Sequence, residues 1–143
     1  MEEIFMHFNQ NQAREIIMNH YINSNNKQSL TNFDTVFSTT CSDKLEITFT
    51  NNNNVISDIK FNGHGCAVFI ASCDLFIDLV QNKPLAEIKQ LASNFIKFIN
   101  QEPIKDDVIA SLGDLWVFYN VKTHLNRVNC ASLCAKYFLD LDA

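Results

Sequence analysis

Glycine is scarce in this sequence. The 143 residues contain three glycines, and two of them, Gly63 and Gly65, lie in the stretch NGHGCAVFIAS at 62–72. Glycine permits positive φ angles and lets another group approach the backbone closely, so the pair predicts a bend where a strand ends. Cys66 would then begin a helix, where backbone N–H groups favour thiolate over thiol, as a ligand or nucleophile requires. The alternative is that Cys66 is a small buried apolar residue.

Basic charge is also scarce. Lys and Arg number 11 against 16 for Asp and Glu, which gives a formal net charge of -5. The basic residues are scattered, so the sequence has neither the basic stripe that tracks phosphates nor a polybasic membrane patch. We therefore expect no nucleic-acid partner and no membrane partner.

Long hydrophobic runs are missing as well. The longest, AVFIASCDLFIDLV, contains Asp74 and Asp78 and is shorter than the roughly 20 residues that a membrane span needs. The start of the chain, MEEIFMHFNQNQ, lacks the cationic and apolar regions of a signal peptide. These two features predict a cytoplasmic protein.

The cysteines number five, and an odd number in a reducing compartment argues against a disulfide framework. The roles that remain for the cysteines are metal binding and thiol chemistry. Cys73 and Cys134 fall within apolar helical stretches and are interpreted as buried, with a sulfur relay as the alternative for Cys134. His64 could pair with Cys66 as a thiol-hydrolase dyad, but adjacent residues on a bend usually point apart. We interpret His20 as a surface or packing residue.

Hydrophobic periodicity predicts an α+β fold. No internal repeat or Pro/Gly/Ser linker divides the chain, so 1–143 is expected to be a single domain. Apolar and polar residues alternate in three segments, which predicts three antiparallel strands at 33–37, 44–50 and 55–61, with NNNN at 51–54 as a turn. Helical spacing, with Pro84 in a first turn and acids at 106 and 107, predicts helices at 2–21, 66–80, 85–99, 106–119 and 130–139. The expected architecture is a three-stranded antiparallel sheet packed against about five helices.

Three cysteines and one aspartate form a candidate metal site. Cys41 and Asp43 are two residues apart where the second strand begins, so they can share one face. Cys66 and Cys130 each begin a predicted helix. Three thiolates and one carboxylate are a ligand set that tetrahedral Zn(II) accepts. The spacing lacks the C-x-x-C pairs of a zinc finger, so spacing alone leaves a metal site open.

Four motifs resemble those of the U-type iron-sulfur cluster assembly proteins (NifU-like, IscU/SufU). They are IMNHYINSNN at 17–26, CSD at 41–43, GHGCAVFIAS at 63–72, and NRVNCASLCAKYF at 126–138. Ser24 and Asn25 stand where the family has Pro and Arg, and Ser42 stands where it has Gly. The resemblance implies a SufE/NifU-like fold and a shared metal site at Cys41, Asp43, Cys66 and Cys130.

Within this family the sequence resembles the SufU branch. Asn129 stands where the scaffold branch has His, and Arg127 and the segment SLGDL at 111–115 are typical of SufU. The resemblance implies a zinc-dependent sulfurtransferase role: accepting persulfide sulfur from a pyridoxal-phosphate-dependent cysteine desulfurase for downstream cluster assembly or acceptor proteins. Cys41 would be the catalytic nucleophile. The alternatives are a scaffold that binds iron or a transient [2Fe-2S] cluster at Cys41, Cys66 and Cys130, and a zinc-stabilised interaction module without transfer activity.

Overall fold

The computed structural model describes residues 8–39, 42–123 and 127–142. The α+β class is confirmed: helices pack against an antiparallel sheet of strand order β1-β2-β3-β4. In chain order the described elements are α1 (Gln10–Ile22), β1 (Asp34–Phe37), β2 (Lys44–Asn52), β3 (Val55–His64), α2 (Ala67–Val80), β4 (Lys83–Pro84), α3 (Leu85–Ile99), α4 (Asp106–Ser111), a 3-10 helix (Gly113–Phe118) and α5 (Val128–Leu139).

The sheet has four strands where the sequence predicts three. The additional strand, β4, is two residues long and pairs with Val55 and Ile56, so it is too short for an alternating pattern to predict it. Pro84 lies in this edge strand and precedes α3 as its N-cap, rather than occupying the first helical turn as predicted. An edge position suits proline because it has no N–H to donate to a further strand.

The β2–β3 hairpin closes through the predicted asparagine turn. Asn53 and Asn54 have φ angles of 54° and 67°. A two-residue turn with positive φ at both positions matches the right-handed twist of the flanking strands, and asparagine tolerates this conformation better than most residues. The hairpin therefore fixes the register of the two longest strands, whose opposite ends lead toward Asp43 and Cys66.

Three predicted helices have different bounds in the structure. The predicted helix at 106–119 is interrupted, because Gly113 adopts a φ of 56° between α4 and the 3-10 helix. The first helix begins at Gln10, where the Asn9 side chain accepts a hydrogen bond from the Gln12 N–H at 2.9 Å. Residues 2–7 of its predicted span lie outside the described residues. The last helix begins at Val128, before the predicted Cys130.

Helix α2 lies at the centre of the core. It packs against α1, α5, β3 and the 3-10 helix, which explains why its sequence is apolar on nearly every side. Phenylalanine dominates the surrounding core, and the fully buried rings are Phe61, Phe69, Phe76, Phe95, Phe118 and Phe138. Among the described helices, none has the length and hydropathy required to cross a membrane.

A hydrogen bond ties the edge strand β1 to the last helix. The Tyr137 hydroxyl donates to Asp34 Oδ2 at 2.6 Å, and burial followed by this bond raises the pKa of Tyr137 well above its ordinary value. Replacing Tyr137 with phenylalanine removes the donor but keeps the ring. We expect Tyr137→Phe to lower the free energy of unfolding by about 1.5 kcal/mol, in the range for a hydrogen bond to a charged acceptor. Urea unfolding measures this loss, and an unchanged midpoint would contradict it.

Candidate metal centre

Asp43, Cys66 and Cys130 converge from three separate elements. Asp43 directly precedes β2, Cys66 is the N-cap of α2, and Cys130 lies in the first turn of α5. One carboxylate oxygen and two sulfurs lie within 4.8 Å of one another. Asp43 and Cys130 are buried, whereas Cys66 is half-buried. The oxygen and sulfur donors fit Zn(II), which accepts both carboxylate and thiolate ligands.

The glycine before Cys66 is required by close packing. A Cβ atom on Gly65 would lie 2.1 Å from Asp43 Oδ1 and 2.7 Å from Cδ2 of Phe69. A Cβ atom on Gly63 would lie 2.6 Å from the carbonyl oxygen of Lys44 on the paired strand. The predicted bend lies at Gly65, directly after β3 ends, and it does not use the positive φ that glycine permits, since Gly113 is the glycine with a positive φ among the described residues. Close approach, the other predicted reason, accounts for both glycines.

Asp43 is held against the start of α2. Its Oδ1 accepts a hydrogen bond from the Cys66 backbone N–H at 3.1 Å. A carboxylate at this end of a helix is stabilised by the unpaired N–H groups and by the positive end of the helix dipole. The same contact therefore orients the Asp43 carboxylate and fixes the backbone from which Cys66 projects.

Arg127 adds positive charge to this group of acidic ligands. Its guanidinium hydrogen-bonds the Cys130 sulfur and also the Cys66 sulfur, and the Cys130 bond is the larger cause of its raised pKa. Arg127 therefore places a positive charge beside the two sulfurs of the candidate centre. The sequence predicts Arg127 only as a mark of the SufU branch. Its position on the turn immediately before α5, close to Cys130, is the signal that could have indicated this contact.

The fourth predicted ligand, Cys41, lies outside the described residues. The described residues on either side of it are joined by a hydrogen bond: the Ser38 N–H donates to the Asp43 carbonyl oxygen at 3.0 Å. The two ends of the 38–43 segment are therefore held together directly beside the candidate centre. Its ligand and nucleophile roles remain predictions.

The other cysteines and His64 lie apart from these ligands. Cys73 and Cys134 are buried, as interpreted from the sequence, and burial followed by hydrogen bonding to Cys134 raises the pKa of the Cys73 thiol. A thiol with a raised pKa is a poor ligand and nucleophile. His64 is exposed at the end of β3, and neither of the two groups of potential metal ligands among the described residues contains it.

A buried network around Asp74 was not predicted from the sequence. Asp74 Oδ2 lies 2.6 Å from His20 Nδ1 and accepts the Asn25 N–H, while Oδ1 accepts the backbone and side-chain N–H groups of Asn26. Asp78 accepts the side-chain amides of Asn25 and Asn26 at 2.9 and 2.8 Å. The sequence feature that could have indicated this network is the carboxylate of Asp74 within the otherwise apolar helix α2.

This network gives the N-terminal motif a structural role. His20, interpreted as a surface or packing residue, is half-buried and joins α1 to α2 through Asp74. Donor atoms of His20, Asp74 and Asp78 also lie within 4.8 Å of one another. Both oxygens of Asp74 already accept hydrogen bonds from protein groups, however, so the arrangement is explained as a structural connection between α1, the loop after it and α2.

Comparisons with known proteins identify relatives that cover most of the chain. A family model described as the NifU-like N terminal domain matches residues 12–131. The zinc-dependent sulfurtransferase SufU of Bacillus subtilis (strain 168) is 28% identical over 125 residues, which cover 86% of this chain and 84% of the relative. The crystal structure of the SUF-system protein FiSufU from Fervidobacterium islandicum AW-1 has a TM-score of 0.74 and 27% identity, covering 87% of this chain and 91% of the other. The N-terminal NifU-like protein of Brucella abortus, at 16% identity and a TM-score of 0.75, has the same fold over 92% of this chain and 94% of the other.

Proposed function

Since the chain belongs to the NifU-like N-terminal domain family of iron-sulfur cluster assembly proteins, we propose that it is a zinc-dependent sulfur acceptor for a cysteine desulfurase. The observation that carries this proposal is the convergence of Asp43, Cys66 and Cys130, with Asp43 hydrogen-bonded to Ser38 on the other side of Cys41 in the sequence. The similarity to a zinc-dependent sulfurtransferase over most of both chains supports the same activity. The proposed location is the cytoplasm.

Zinc would be held by Cys41, Asp43, Cys66 and Cys130. When bound, it supplies a positive charge that keeps coordinated cysteines deprotonated near neutral pH. Asp43 is the one oxygen ligand among sulfur ligands, and its contact with the Cys66 N–H restrains it in the direction of the centre. Arg127 offsets part of the negative charge that the thiolates and carboxylate bring together.

Cys41 is the residue proposed to accept sulfur. Its thiolate attacks the outer sulfur of the desulfurase persulfide, a new bond forms between Cys41 Sγ and that sulfur, and the donor cysteine leaves as a thiolate. The transfer needs no external oxidant or reductant. Cys66 and Cys130 are anchored by α2 and α5, whereas Cys41 precedes β2 in the sequence among the polar residues Thr39, Thr40 and Ser42. We therefore expect Cys41 to leave the ligand set with the least disturbance of packing. The pyridoxal-phosphate-dependent desulfurase and a downstream cluster assembly protein are the proposed partners.

The ligand assignment predicts which cysteines control zinc content. We expect the purified protein to hold roughly one zinc ion per chain, as a tetrahedral site requires. Cys41→Ser, Cys66→Ser and Cys130→Ser should each lower this content, and the buried Cys73→Ser should not. Elemental analysis of all four variants, purified side by side, measures the effect. If Cys73→Ser lost zinc as fully as Cys66→Ser while remaining folded, the assignment would be wrong.

The persulfide position separates the proposed function from its alternatives. After incubation with a cysteine desulfurase and cysteine, mass spectrometry should find one added sulfur on Cys41, and wild-type protein should raise desulfurase turnover severalfold. Cys41→Ser should do neither. Added sulfur found mainly on Cys130 would favour the scaffold. A [2Fe-2S] absorption spectrum after anaerobic reconstitution, with no added sulfur on Cys41, would favour it as well. Retained zinc with no label on any cysteine favours the interaction module.

A further inference from the structure

Both arginines of the chain line one cavity. Arg14 on α1 and Arg127 before α5 are the two arginines in a chain with a net charge of -5, and they share a cavity of about 170 Å³. The wall between them is largely apolar, with Ile17 from α1 and Val68 from α2 among its side chains. A mostly apolar wall with a small number of charged groups is the usual construction of a small-molecule site.

The charge in this cavity is positive: Arg127 shares its charge with the sulfurs of Cys130 and Cys66, and Arg14 contributes a second cation. None of the described lining residues is acidic, and no ion pair joins Arg14 to a carboxylate within the described residues. Arginine presents a planar set of N–H donors that matches a carboxylate in two-point hydrogen bonding. An organic acid would therefore find both charge-assisted donors and apolar contacts in this cavity.

The cavity adjoins the candidate metal centre. Arg127 lines the cavity and also hydrogen-bonds the sulfurs of Cys130 and Cys66. Val68, another lining residue, lies in the first turn of the helix that Cys66 caps. The volume is below the roughly 300–1,000 Å³ of pockets for drug-sized ligands, so it suits a molecule of a few heavy atoms rather than a peptide segment.

We propose that this cavity binds the carboxylate of a small aliphatic mercapto acid, which accepts the sulfur carried by Cys41. The proposal rests on the sulfur-acceptor function. The acid's thiolate attacks the outer sulfur of the Cys41 persulfide, the bond between that sulfur and Cys41 Sγ breaks, and Cys41 leaves as a thiolate. The product is the persulfide of the mercapto acid. Arg14 and Arg127 are the groups that hold the carboxylate in this cavity.

Binding can be tested without any sulfur transfer. Butyrate and butyramide have similar size and differ in charge, and methyl NMR spectra of the zinc-bound protein can follow Val68, Val117 and Val121 in the cavity wall. We expect saturable shifts with butyrate and none with butyramide. Arg14→Gln should weaken butyrate binding by about threefold to tenfold because a charge-assisted contact is lost. The exposed Lys97→Gln is the control of equal charge change and should bind as wild type does.

Transfer is tested on protein that already carries the persulfide. Sulfur release by 3-mercaptopropionate should be severalfold faster than release by 2-mercaptoethanol at equal thiolate concentration. Arg14→Gln should remove this advantage, and Lys97→Gln should retain it. Equal rates for the two thiols in wild type, or butyrate shifts that Arg14→Gln leaves unchanged, would overturn the proposal. If Cys41 takes up no sulfur, the acceptor function fails, and the butyrate titration still decides whether the cavity binds a carboxylate.

Discussion

Gly65→Ala is expected to lower zinc affinity by roughly tenfold or more, the size of effect seen when the support of a metal ligand is disturbed. The new methyl group would lie 2.1 Å from Asp43 Oδ1, a separation that no real pair of such atoms tolerates. It would also meet the ring of Phe69, which is fully buried and has little freedom to move away. The Asp43 side chain must therefore rotate out of the centre or the start of α2 must shift, and either movement separates Asp43 from Cys66.

Gly113→Ala is the matched control for this substitution. Gly113 has a φ of 56°, so alanine there is strained, but its Cβ would meet only Leu79 Cδ1 at 3.7 Å. We expect Gly113→Ala to lower the free energy of unfolding by about 1 kcal/mol while zinc affinity stays unchanged. Competition with a chromogenic chelator measures affinity, and urea unfolding measures stability. Wild-type zinc affinity in Gly65→Ala would show that the close approach to Asp43 has no part in the metal centre.

The sequence predicts the elements of this fold better than it predicts their bounds. Alternation in 44–50 and 55–61 correctly identifies β2 and β3, because each strand has a buried face and a more exposed face. Helical spacing identifies α3 for the same reason, since its apolar residues form one face. Strand β4 has two residues and therefore no period, and the break at Gly113 depends on a single backbone angle.

The candidate centre could be predicted in composition but not in its supporting contacts. The types and order of Asp43, Cys66 and Cys130 were sufficient to nominate them as ligands, and the family resemblance stated from the motifs is confirmed. The reason for Gly65 was not accessible, because the atom that excludes a side chain there belongs to Asp43, which lies just before β2 and far from Gly65 in the sequence. The partners of Asp74 lie 48 to 54 positions away in sequence, beyond the reach of any local pattern.

Asp74→Ala is expected to cause the largest loss of stability among the described polar residues. Asp74 is fully buried, and its carboxylate accepts hydrogen bonds from Asn25, from Asn26 and from His20 Nδ1. Alanine would leave these donors without their acceptor, and the most costly loss is at Asn26, which is itself buried. Removing one partner from a buried charged network costs about 3–5 kcal/mol, a large part of the 5–15 kcal/mol typical of a whole domain.

Asp78→Ala, one turn further along α2, is the matched control for Asp74→Ala. The Asp78 side chain is 37% exposed, so water can replace its bonds to the amides of Asn25 and Asn26. We expect this substitution to lower the free energy of unfolding by about 1 kcal/mol.

Urea unfolding of both variants, with His20→Ala and the His20→Ala/Asp74→Ala double variant, completes a cycle that isolates the His20–Asp74 interaction. Equal losses in the two aspartate variants would contradict the buried network. A second bound zinc ion that Asp74→Ala removes would show that His20, Asp74 and Asp78 bind metal rather than join α1 to α2.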